Sequence, residues 1–480
     1  MLPRRVDQRP QAGTVLRPWG HEPPQFANSP THSETLEIAD PFRKLAFYSA
    51  CLLLFTRVSL LNQIISVQLH FNPYLLYLVG VPTAIGILVG GGLGRGLRSR
   101  TTYFWLAFVL WAGLGLPFSS WRTASLGFYL SYLRSDFIML FAIGGLVASW
   151  QECRWIMWSV AWGALVNVVS ARIFRGSYDE SRVMLDFGTI ANPNDYAAHL
   201  LFVLPFLLWV AVGAKSFVLR SAAVVGLAFG SYLVLGTASR GASIALVFAV
   251  LVFLYLATAL QRFVAAFTLP LGVALLLAVL PQSTLNRIRS LGGSTDASEE
   301  AVDSSRARSY VLRKSIEYTL TFPVFGVGIG RFPSYEGGHN KTIGEHGAWL
   351  QTHNAYTQVS SECGIPALIA FLAGIGSAFL LLLKTHRQSR DRPECRDISK
   401  MALCVIISMA GFCAAIIFLS LAYTFYLPTF AGLAIAIHRA AGIEFRTRPR
   451  ATPRPFAVVP AGGMRTVYTA QPRPVRGISG

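Results

Sequence analysis

Apolar runs of about twenty residues recur along the chain with short polar breaks between them, until one long polar stretch interrupts the pattern between residues 281 and 360. A helix needs about 20 apolar residues to cross a bilayer. Twelve runs meet that length or approach it: 45–67, 72–94, 103–121, 126–150, 153–171, 195–214, 219–239, 241–260, 262–280, 361–383, 401–423 and 426–440. No alternation of period two marks a β-barrel, and lipid cannot satisfy an open backbone, so the runs are predicted to be helices. The apolar stretch 401–440 is too long for one crossing, which places a hairpin turn near Pro428. The expected fold is an all-α polytopic membrane protein of about 12 transmembrane helices with a large outer (periplasmic) loop containing short helices. It divides into a disordered basic cytoplasmic arm (1–44), helices one to nine (45–280), an outer loop carrying the chemistry (281–360), helices ten to twelve (361–440) and a disordered basic cytoplasmic tail (441–480).

Composition agrees with this pattern. With 53% hydrophobic and 14% charged residues and a mean hydropathy of +0.48, the 480-residue chain lies outside the range of soluble globular domains. The net charge of +19 could serve nucleic acid or membrane orientation. Its distribution decides. Basic residues gather in the arm, the tail and the alternate short loops (Arg95, Arg98 and Arg100; Arg154; Lys215 and Arg220; Arg262; Lys384 to Lys400), whereas the 281–360 insert sets eight basic residues against seven acidic ones. The charge is therefore a topology signal, with both termini cytoplasmic, the insert outside and no nucleic-acid partner. The basic N-terminus lacks a following apolar core and is not a cleavable signal peptide. Six cysteines show no paired spacing and suggest neither a disulfide framework nor a zinc site. Arg57, near the middle of the first run, is a functional intramembrane charge unless the span starts later or the arginine snorkels to the interface.

This topology puts three separated polar elements on one side: the loop 172–194 with Arg182 and Asn194, the turn GTASRGAS with Arg240, and the insert. Within the insert, SSRARSYVLRKSIEYTLTF reads as a helix capped at Ser304 or Ser305 and ended by Pro323. Arg308, Leu312 and Ile316 share its face at spacing four, so the arginine points either toward the membrane body and a lipid head group or to an acidic surface partner. GVGIG departs from a nucleotide-binding loop and reads as a tight turn, or as a phosphate-cradling nest. HNAYTQVSSECGIP sets His353, Asn354, Tyr356 and Glu362 where the chain re-enters the membrane. A histidine there suits proton transfer from a sugar hydroxyl near neutral pH. His339, His346 and His353 recur every seven residues, but the glycines at 337, 338, 344 and 347 argue against a helix there and against a metal cluster. The same glycines suggest a mobile lid between Tyr335 and Trp349. Three arginines and a histidine on one face favour a pyrophosphate-bearing substrate, because guanidinium grips phosphate oxygens in a bidentate fork.

These residues resemble the O-antigen ligase and O-antigen polymerase superfamily of bacterial membrane glycosyltransferases. The likeness is strongest in RSYVLRKSIEYTLTFPVFGVGIGRF followed by HNAYTQVSSECGIPA. FGTIANPNDYAAHLLFVLPF (187–206) and SRGAS (239–243) add to it, with Ala367 standing where the family commonly has glycine. The resemblance covers roughly residues 45–440. It implies a metal-independent, cofactor-free inverting glycosyltransferase of the inner (plasma) membrane, with the bilayer, an undecaprenyl pyrophosphate-linked glycan donor and a glycan or glycolipid acceptor as partners. It makes His353 the base and gives the pyrophosphate to Arg240, Arg308 and, less directly, Arg182. Asn194, Asn354, Tyr356 and Glu362 become supporting residues. The competing class is a transporter or flippase of lipid-linked oligosaccharide, against which stand the absence of an internal repeat and the size of the insert.

Overall fold

The computed structural model describes residues 40–177, 182–185, 190, 192–280, 282, 284–285, 299–342 and 349–447. Most of the basic arm and tail, His346 and the side chain of His339 lie outside the described residues, so the expectations placed on them stay expectations. Helices dominate, as the apolar pattern predicts. Among the described residues eight are long and apolar enough to cross a membrane, or nine if the bent pair Pro41–Ser59 and Leu61–Leu69 is one span, against the twelve expected. Two predicted spans, 72–94 and 241–260, fall on the shorter apolar helices Leu75–Val89 and Arg240–Leu256. The run 426–440 lies in the helix Tyr426–Thr447. The chain is an all-α polytopic membrane protein, with one small two-stranded antiparallel sheet, Arg175–Ser177 paired with Val183–Leu185.

The centre of the bundle is built by Pro193–Gly213 and Pro393–Phe418, whereas Ala259–Val279 lies at the periphery with Ala265 as its one buried residue. Without a hydrophobic drive between helices in lipid, close approach depends on small residues. Gly411 faces Ala249 so closely that a Cβ on the glycine would sit 3.2 Å from the alanine's, and Gly144 packs on Gly432 in the same way. Polar cross-links tie the layers together. His199, fully buried, bonds the Tyr426 hydroxyl through Nδ1 at 2.9 Å and the Val58 carbonyl through Nε2 at 3.0 Å. Arg57 lies in the last turn of its helix, just before the chain turns at the left-handed Leu60, and pairs with Asp136 at 2.9 Å while facing the Phe425 ring. It therefore has a carboxylate partner inside the bundle.

The turn between the last two helices occupies 419–425, ahead of the predicted Pro428, which sits in the first turn of Tyr426–Thr447 where a missing N–H costs nothing. The insert helix spans Glu299–Thr321 and so begins five residues before the predicted serine cap; its end before Pro323 is as expected. A second helix, Phe332–Thr342, runs through Gly337 and Gly338, where the glycines were expected to forbid one. Aromatic stacking then docks the segment between them on the bundle: Phe325 lies 4.5 Å from Phe118, nearly parallel, and Trp111 Nε1 donates to the Val324 carbonyl at 3.0 Å.

Candidate active site

Four chain segments converge at one end of the bundle. The asparagine–proline–asparagine element opens Pro193–Gly213: Asn192 is the N-cap, its side chain accepting from Asn194 N–H at 2.8 Å, with Pro193 in the first turn. This fixes Asn194, whose Oδ1 accepts from Arg182 Nη2 at 3.2 Å. Arg182 Nε also donates to the Thr237 carbonyl at 3.0 Å. Arg182 thereby joins the small sheet to the turn that presents Arg240. In that turn Ser239 caps Arg240–Leu256, accepting from Ala242 N–H, so Arg240 is the first helical residue.

Arg308 reaches the same place from Glu299–Thr321. Beside it on one side are Val311, Ser315 and Tyr318, which are 0 to 3% exposed, and on the other Leu312 and Ile316, which are 38% and 47% exposed. The expected spacing-four stripe is corrected accordingly: the packed face runs at spacings of three and four from Arg308. Either way the arginine points inward. It lines a small pocket together with Asn194, Ser239, Gly241, Ala242, Ala415, Phe418 and Leu419. Burial, and then the like charge of Arg240, lower the pKa of Arg308 from the ordinary arginine value. Among the described residues no carboxylate pairs with Arg308. Guanidinium groups present planar, bidentate donors of the kind that suit a phosphate.

His353 completes the group. It stands just before Ala355–Arg390 in a left-handed conformation (φ 51°), uncommon for a residue with a side chain. Its backbone N–H donates to Ser420 Oγ at 2.8 Å, and Ser420 Oγ also meets Thr352 Oγ1 at 3.0 Å. Among the described residues the half-buried imidazole makes no hydrogen bond of its own. Burial, and then the charge of Arg308, lower its pKa from the ordinary histidine value, so it is neutral at pH 7 and able to accept a proton.

The supporting residues hold the backbone. Asn354 is the N-cap after His353, its Oδ1 accepting from Tyr356 N–H at 2.9 Å and Thr357 N–H at 3.1 Å. Tyr356 donates to the Cys413 carbonyl at 2.9 Å and binds the re-entering helix to its neighbour. Glu362 explains the glycine turn. Its two oxygens accept from Gly330 N–H at 2.9 Å and Phe332 N–H at 3.0 Å. Gly326, Gly328 and Gly330 all have positive φ. GVGIG is thus a tight turn, tied at its Gly330 end to the Glu362 side chain and at Gly328 to the Glu362 backbone carbonyl. Sequence reasoning missed Ser420 and Glu336, which carry no local signature, and assigned no role to Trp349.

Arg308 interacts electrostatically with Arg240 and with His353, and Arg182 is tied to the same region through Asn194 and the Thr237 carbonyl. Residues 223–372 match the family model described as O-antigen ligase. Arg240, Arg308, His353, Asn354, Tyr356 and Glu362 fall within the match, and Arg182 and Asn194 precede it. No curated protein matches the chain. The order of motifs, the multi-pass helical fold and this match lead to one conclusion: the chain carries a domain of the O-antigen ligase family, glycosyltransferase-like membrane enzymes of cell-surface polysaccharide biosynthesis.

Proposed function

We propose that the protein transfers or polymerises a glycan from an undecaprenyl pyrophosphate carrier onto a glycan or glycolipid acceptor at the outer face of the inner membrane, without a metal and with inversion at the anomeric carbon. The observation that supports this reading is the position of Arg308, which lines the pocket and lies within electrostatic reach of both the Arg240 guanidinium and the His353 imidazole. Arg308 and Arg240 bind the pyrophosphate. His353 takes the proton from an acceptor hydroxyl as its oxygen attacks the anomeric carbon, and the bond from that carbon to the pyrophosphate oxygen breaks on the opposite side. Negative charge then builds on the departing carrier pyrophosphate, where fixed guanidiniums stabilise the transition state more than the ground state. Arg182 contributes by holding Asn194 and the Arg240 turn in place.

The reading is tested with purified protein in liposomes that contain the carrier-linked glycan and an acceptor. A new glycosidic bond and released undecaprenyl pyrophosphate are the expected products. Movement of labelled lipid between leaflets without bond formation would replace the enzyme by a flippase. In cells, deletion is expected to leave single repeat units if the protein is a polymerase, and full-length polymer on the carrier if it is a ligase.

A further inference from the structure

The geometry points to a glycan-stacking subsite on the indole of Trp349, which binds the apolar face of a pyranose ring of the substrate. This rests on the reading of the pocket as a glycan-transfer site and adds a residue and a contact to it. Trp349 is 55% exposed, yet its position is set by three separate devices. Its ring lies against Gly337, where a Cβ would come within 2.1 Å of indole Cδ2, so only glycine leaves room. Its backbone N–H donates to Glu336 Oε2 at 2.9 Å. Glu336 is fully buried, and its Oε1 accepts from the Tyr310 hydroxyl at 2.8 Å. Tyr310 stands two residues after Arg308 on the same helix. The Trp349 backbone, at φ 51°, is also in the left-handed region that side chains disfavour.

A tryptophan that only anchors a surface among lipid head groups gains from burial in many orientations and needs none of these devices. Fixing an exposed ring in one orientation is useful when a ligand must meet its flat face. Along the chain Trp349 is four residues from His353, a separation of at most about 14 Å. A glycan bound at the pocket is therefore within reach of the ring. The flat, apolar indole complements the C–H face of a pyranose, while the sugar hydroxyls at the rim stay hydrated. The ligand class is thus an uncharged or weakly charged stretch of glycan, distinct from the pyrophosphate at the arginines.

The test uses the full chain in nanodiscs and, as probe, the oligosaccharide released by mild acid from the producing strain's own surface polysaccharide. Its Kd is measured by calorimetry, independently of turnover. Trp349→Ala is expected to weaken binding about tenfold, on the order of the loss of one stacked aromatic. Trp349→Phe should stay within about threefold of wild type. Gly337→Val, which drives the ring off its seat, should resemble Trp349→Ala. Where transfer is measured, kcat at saturating glycan should change less than about twofold, with the loss in KM. Equal Kd values for wild type and Trp349→Ala, no binding by wild type, or a phenylalanine variant as poor as alanine would each overturn the subsite. So would quenching of the Trp349 emission by brominated lipid without quenching by the glycan, which would make the ring a membrane anchor. Trp349-dependent binding with no glycosidic bond formed would keep the subsite and remove the transfer reading; normal transfer with a KM for glycan unchanged by Trp349→Ala would do the reverse.

Discussion

The His353 imidazole lies within electrostatic reach of the Arg308 guanidinium, and burial together with that charge holds its pKa below the ordinary histidine value. The same interaction joins the proposed anion site to the proposed base, so one substitution should disturb both. For a base that acts neutral, activity is lost as pH falls through its pKa. The wild-type acidic limb of kcat/KM is therefore expected below about pH 6.5, the unperturbed histidine value. Arg308→Gln removes a charge that disfavours the imidazolium and should move the limb to higher pH while lowering its plateau. A limb that stays in place in Arg308→Gln would separate the two residues.

Arg308→Lys keeps the charge and loses the fork. Bidentate phosphate recognition needs two N–H groups in one plane, which an ammonium does not present. Transfer should fall by about tenfold or more, with donor binding weakened. Near-normal kinetics in a steady-state assay would remove bidentate binding from the account.

Glu362 is expected to matter through stability. Its side-chain oxygens accept from the backbone N–H groups of Gly330 and Phe332, and leaving a buried donor unsatisfied costs on the order of 1–3 kcal/mol. Glu362→Gln should lower the melting temperature in detergent, and added phosphate should not restore it. Gly364→Ala should be worse, because the residue has φ 85° and its Cβ would lie 2.1 Å from the Val324 carbonyl oxygen. Gly376→Ala, on the same helix with nothing within 4 Å, is the control and should be neutral or stabilising.

Much of this arrangement could be read from residue order. Apolar run length gave the helices, and polar interruptions gave the elements that meet at the pocket. Local caps were legible too, since Asn192–Pro193 and Ser239 follow the chemistry of helix starts. Other features depend on tertiary partners that no local pattern records. Phe332–Thr342 continues through Gly337 because the Trp349 ring fills the space beside it, and Glu336 is buried because it has Tyr310 and the Trp349 N–H as partners. Arg57 could not be interpreted without Asp136, 79 residues away. Which side of the Arg308 helix packs was not legible, because rows at spacings of three and four both begin at that residue and the buried one runs through Val311, Ser315 and Tyr318.

Topology offers an independent check. Single cysteines at 182, 240, 308 and 353 in a cysteine-free background should react with an impermeant thiol reagent on intact spheroplasts, and cysteines at 387 or 392 only after lysis. The opposite pattern would invert the membrane assignment and place the pocket in the cytoplasm.

The most direct measurement is made on purified His353→Ala supplied with carrier-linked glycan and acceptor. In the proposed role of acceptor base, His353 acts mainly in the transition state. Turnover is expected to fall by about 10²- to 10⁴-fold, while the donor Kd stays within about threefold of wild type. Turnover near the wild-type rate would contradict the account.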